Sequence, residues 1–141
     1  MPKTVFTATD AAGFVHIRKT ERSYSHTVVY LPSYDRDMAH ADRNIKEDGS
    51  NWRFYADRVA TGATRFLTNA EERAAEYASE AQAIAGERAK RVAFVRKREA
   101  DGYYDKWQNA GWCGRPDLAA KLLADTQKWT ARAVILPATA K

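Results

Sequence analysis

Apolar and polar positions alternate near both ends of the chain and recur at three- and four-residue spacing through its middle. The stretch "KTVFTAT" is rich in β-branched and aromatic residues and reads as a strand. "DAAG" follows as a turn that Asp10 opens. "FVHIRK" alternates again, with Val15 and Ile17 expected inward and His16 and Arg18 outward. "TERS" is a second turn, and "YSHTVVYL" a third strand that Pro32 ends. Links this short predict an antiparallel meander of the three strands.

Between residues 33 and 69 the pattern weakens. "SYDRDMAHADRNIKEDGSN" reads as a polar loop. "NWRFYADRV" reads as a short helix capped by Ser50 and ended by Gly62, although Trp52, Phe54 and Ala56 also share a face in a strand reading. Thr68 and Glu71 then have capping-box spacing, and helix formers continue to Ala100, before an Asp-Gly stop. Ala74, Ala78, Ala81, Ala85, Val92 and Val95 form its expected apolar seam. A helix of about 30 residues would be about 45 Å long. A compact domain of this size has a radius of gyration near ~14 Å. The helix should therefore break near Gly86 or carry its end past the body. Pro116 opens a shorter helix over "DLAAKLLADTQK", and "WTARAVILPAT" closes as a strand stopped by Pro137. The order β-β-β-α-α-β predicts one α+β domain over 1–141. Its antiparallel sheet would have about four strands, with the long and the shorter helix on one face.

Composition narrows the class. Of 141 residues, 45% are hydrophobic and 29% charged, as in globular chains. Apolar runs reach only about five residues, too few to cross a bilayer. The first residues lack the apolar stretch of a secretory signal, and the single cysteine, Cys113, has no intrachain disulfide partner. A cytoplasmic protein is expected. The net charge of +5 is unevenly spread. Residues 71–83 hold four glutamates and one arginine, whereas 84–99 hold six cations against Glu87 and Glu99.

Two surfaces emerge as contact candidates. The first is the basic helix end, with Arg88, Arg91, Arg96, Lys97 and Arg98, which could engage phosphates or an acidic protein. The same pattern also suits the helix dipole of a solvated face. The second is "YYDKWQNAGWCGRP", where Tyr103, Tyr104, Trp107 and Trp112 form either a recognition patch or a small core. A third group, His16, Arg18, Tyr24 and His26, reads as the wet face of the opening hairpin, as a binding face or as acid/base machinery. No carboxylate in the strands themselves would orient an imidazole, so this group is expected to be non-catalytic. Asp35, Asp37, His40 and Asp42 lack EF-hand spacing and are expected to form a polar loop beside Arg36 and Arg43. No metal or cofactor is expected. Cys113 has no evident activating histidine, and no P-loop, GxGxxG, HExxH, CxxC or GxSxG motif occurs.

The phrases "FTATDAAGFVHIRKTERSYSHTVV" and "GWCGRPDLAAK" resemble small proteins encoded by bacteriophages and other mobile elements, over about residues 4–30 and 107–136. They carry no catalytic signature. The resemblance implies a phage accessory protein, a class that includes inhibitors of host defences such as anti-CRISPRs. The leading expectation is a non-enzymatic protein of phage origin that binds a host protein or ribonucleoprotein complex in the bacterial cytoplasm, with the basic helix end and the aromatic loop as its contact surfaces and no membrane involved. Direct nucleic-acid binding by the basic helix, or a small nuclease centred on the opening hairpin, are the alternatives.

Overall fold

A computed structural model describes residues 2–141. The fold is α+β and divides into two compact units. Residues 1–34 and 98–141 make the first, and residues 35–97 the second.

The first unit holds two three-stranded antiparallel sheets. In one, strand β1 (Thr4–Thr9) lies between β2 (Val15–Thr20) and β6 (Thr139–Ala140). In the other, β3 (His26–Tyr30) lies between β4 (Gln108–Cys113) and β5 (Ala133–Pro137). The expected single sheet is thus split. The meander stops at the β1–β2 hairpin, and β3 takes the centre of the second sheet. Burial gives the reason: Thr27, Val28 and Val29 are consecutive and all fully buried, so β3 needs cover on both faces and both edges. Helix α5 (Pro116–Gln127) packs across β3, β4 and β5 and supplies the cover on one face. Part of the expected aromatic loop is strand β4. Pro137 ends β5 as expected, and the chain then resumes as β6 against β1.

The expected facing of β2 is reversed. His16 is buried, whereas Val15 and Ile17 are exposed. In the β1–β2 register, His16 stands opposite Ala8 and Arg18 opposite Phe6, and both β1 residues belong to the core. Tyr24 then joins the two sheets. Its ring meets Phe6 edge-on at 5.7 Å and Trp112 of β4 at 6.1 Å.

The second unit is helical. The expected polar loop contains α1 (Tyr34–His40), which begins at the last residue of the first unit. α2 (Ile45–Thr61) starts earlier than expected, so Ser50 lies inside it, but it ends at Gly62 as the sequence indicates. The expected long helix is two: α3 (Ala70–Ala75) and α4 (Glu80–Ala100). The break falls at residues 76–79, not at Gly86, and Thr68 makes no cap because Asn69 occupies that place. Three contacts explain the position. The Ser79 hydroxyl accepts the Gln82 N–H at 3.2 Å, while Gln82 Oε1 accepts the Ala78 N–H at 3.2 Å. Trp52 Nε1 donates to the Tyr77 carbonyl at 3.1 Å, an oxygen a continuous helix would use internally. The Tyr77 ring lies against Gly86, where any Cβ would overlap it. With the break, the buried positions of α4 become Ala83 and Val95, while Ala81 and Ala85 of the expected seam are exposed.

Candidate functional site

A cleft of about 710 Å³ opens in the first unit. Its lining is Phe14 through Arg18, Tyr24, and Asn109 through Trp112. Side chains of a strand alternate between faces, so a hollow over one face touches every second residue. This one touches four consecutive residues of β2 and four of β4, so it runs along the strand edges. Among the described residues, β2 pairs only with β1 and β4 only with β3. The two free edges therefore border one cleft.

The two walls differ in regularity. β2 pairs in unbroken register from Val15 opposite Thr9 to Thr20 opposite Thr4. β4 bulges, because Val28 faces Gly111 and Val29 faces Asn109, leaving Ala110 over. The buried Thr27 clips this bulge: its hydroxyl donates to the Gly111 carbonyl at 2.7 Å and accepts from Asn109 Nδ2 at 2.8 Å. Among the lining residues, Phe14, just before β2, is 64% exposed and Ile17, within it, 63%, a concentration of apolar surface at an edge strand. The lining includes the Arg18 guanidinium and no carboxylate.

His16 anchors the β2 wall. Its Nε2 lies 2.8 Å from Oδ2 of Asp10, whose Oδ1 accepts the N–H groups of Ala12 at 2.9 Å and Phe14 at 3.2 Å. Burial pushes the Asp10 carboxyl up. The hydrogen bond from His16 and those from the backbone outweigh it and hold the group below its ordinary value of 3.8. Asp10 is thus an ionised acceptor, and His16 donates to it through Nε2. The Phe14 ring stands edge-on to the imidazole at 5.1 Å. The expectation that no carboxylate orients an imidazole is corrected here, since the orienting group sits in the turn. The predicted four-residue group is also divided. His16, Arg18 and Tyr24 line the cleft, whereas His26 is on β3 in the other sheet, with Nδ1 2.8 Å from the Ser25 hydroxyl.

Half of the six cations of the basic helix end, Arg88, Lys90 and Arg91, are committed within their own unit. Arg91 forms a fork on Asp48, at 3.0 and 2.8 Å, and donates to the Ala41 carbonyl at 2.8 Å. Arg88 pairs with Asp42, and Lys90 with Glu76 and Glu87. Arg96 and Lys97 are exposed. Arg98 belongs to the first unit and lies over the Tyr103 ring at 4.3 Å. The aromatic candidates separate as well. Tyr104 is buried, with Tyr34 edge-on at 5.6 Å and Tyr103 at 5.1 Å. Trp107 is half-buried, and Trp112 is the member that reaches the cleft.

Other chemistry is weaker. His26 lies opposite Cys113 across β3 and β4, a juxtaposition hidden in the sequence by 86 intervening positions. Burial pushes the Cys113 thiol up, which opposes thiolate formation, and the His26 hydrogen bond goes to Ser25. Among the described residues, no group of three or more His, Cys, Asp or Glu side chains is placed to hold a metal. The second unit has a cavity of about 450 Å³ with Trp52, Tyr55 and Tyr77 beside Asp48, Glu76 and Glu87. Its own cations fill the roles a cationic ligand would take: Arg73 lies over Tyr55, Lys90 over Tyr77, and Arg91 and Lys90 hold the carboxylates. No protein-family model, curated protein or solved structure matches the chain.

Proposed function

We propose that this chain is a non-enzymatic binding protein that docks on a macromolecular partner through the cleft between β2 and β4. One observation carries the reading: Phe14 and Ile17, both nearly two-thirds exposed, flank a cleft bordered by two free strand edges. Exposed apolar groups around a cationic centre suit a protein partner, where buried aromatic and arginine side chains concentrate binding energy. Reading the chain as a phage accessory protein that modulates a host complex, with anti-CRISPR-like inhibition included, draws its support from the resemblance of residues 4–30 and 107–136. The test is capture from bacterial lysate, with and without nuclease, by the native chain and by a Phe14→Ser/Ile17→Ser variant. A specific protein retained after nuclease and lost with the variant supports the reading. Nucleic acid alone, retained equally by both chains, overturns it.

The Asp10–His16 pair beside Arg18 and Tyr24 favours a second reading, a small phosphodiester hydrolase. Its test is cleavage of single- and double-stranded DNA and RNA, with and without divalent metal. The expected result is no cleavage. Cleavage eliminated by His16→Ala in a folded chain would replace the binding proposal.

A further inference from the structure

We infer that the cleft is a strand-addition site, in which an extended peptide segment with an acidic residue pairs along the free edge of β2 and sets its carboxylate on Arg18. The inference rests on the binding function proposed above and names the chemistry of the partner.

A free strand edge presents unpaired N–H and C=O groups, a ready template for another extended chain. β2 offers six residues in continuous register, enough for a short segment, whereas the bulge in β4 spoils the second edge as a template. β4 therefore acts as the opposite wall, with Trp112 and Tyr24 against the incoming side chains. A paired segment would point alternate side chains to the two faces of the β1–β2 sheet. On one face they meet Val15 and Ile17, and on the other Arg18. The matching sequence alternates apolar and acidic residues.

Charge selects among occupants. The lining holds Arg18 and no carboxylate, and Lys19 follows on the same edge. A second copy pairing through its own β2 would bring like charges together, an arrangement that disfavours edge-to-edge association. Nucleic acid engages several cations along its backbone, and this lining has one guanidinium. An acidic extended peptide meets both features.

The experiment selects a random dodecapeptide library on the full chain, then titrates the enriched peptide in solution. Enriched sequences should alternate apolar residues with Asp or Glu. Arg18→Glu should weaken the enriched peptide at least tenfold, and a peptide with its acidic residue changed to Lys should bind the Arg18→Glu chain better than the native one. Enrichment of basic or unpatterned sequences, or binding indifferent to Arg18→Glu, would overturn the inference. So would a Phe14-dependent dimer, or a single-stranded oligonucleotide that displaces the peptide from this cleft. If no peptide enriches while the lysate partner is still lost with Phe14→Ser/Ile17→Ser, strand addition fails and the binding function stands. If the lysate partner is also unaffected, both fail.

Discussion

His16 on β2 donates through Nε2 to Asp10 in the preceding turn at 2.8 Å, and the pair locks the hairpin that forms one wall of the cleft. Asp10→Asn removes the charge that receives His16 and two backbone N–H groups. Such a buried, charge-assisted network is worth roughly 1–3 kcal/mol, so a loss of that size is expected at pH 7 in denaturant unfolding. The native carboxyl lies below its ordinary value of 3.8. Its contribution is therefore complete above that pH and fades as pH falls through the folded value. The stability gap between native and Asp10→Asn chains should narrow below pH ~4.

The helix break at residues 76–79 depends on the ring of Tyr77 lying against Gly86. Gly→Ala inside a helix ordinarily stabilises by about 1 kcal/mol. Gly86→Ala should instead destabilise by about 1–3 kcal/mol, because the new methyl overpacks against the ring. Combining it with Tyr77→Ala should remove most of the overpacking cost, which a double-mutant cycle in urea measures.

The basic helix end should divide between structural and free residues. Arg91 is 26% exposed and its partner Asp48 11%, so the fork is partly buried. Arg91→Glu sets two carboxylates together and should cost about 2–4 kcal/mol of stability. Arg96→Glu/Lys97→Glu changes exposed residues and should shift stability by less than about 0.5 kcal/mol. Thermal unfolding of both variants checks this. A charge reversal that includes Arg91 therefore reports on folding before it reports on a partner.

Trp112 and Tyr104, which the sequence groups together, should part in the same way. Trp112→Ala is expected to weaken the captured partner by about 2 kcal/mol or more with the fold retained. Tyr104→Ala is expected to cost about 3–5 kcal/mol of stability, as truncation of a core aromatic does. Titration and unfolding of each variant separate the two.

Local signals in the sequence carried much of the fold. The α+β class, the strands at 4–9, 15–20 and 26–30, the helix opened by Pro116 and the stop at Gly62 follow from alternation and turn chemistry. Partnership between distant segments was not legible. β3 leaves β2 for β4 and β5 because Thr27, Val28 and Val29 are buried on both faces, and the unbroken "TVV" run was the signal available for it. "QNAGWC" hid as a loop because its bulge interrupts alternation, and Thr27, more than 80 residues away, holds that bulge. His16 was misplaced because its counter-ion lies in a turn, outside the strand pattern. The exposed Val15 and Ile17 read as core residues for the same reason: alternation shows which residues share a face, but not which face is wet.

In the proposed function, the edges of β2 and β4 form the contact surface. Amide hydrogen exchange of the full chain, alone and with the partner captured from lysate, tests it most directly. Slowed exchange on binding at residues 14–18 and 109–112 is expected, with little change in α4. Unaltered exchange at both edges, with protection confined to the helix around Arg96 and Lys97, would contradict it.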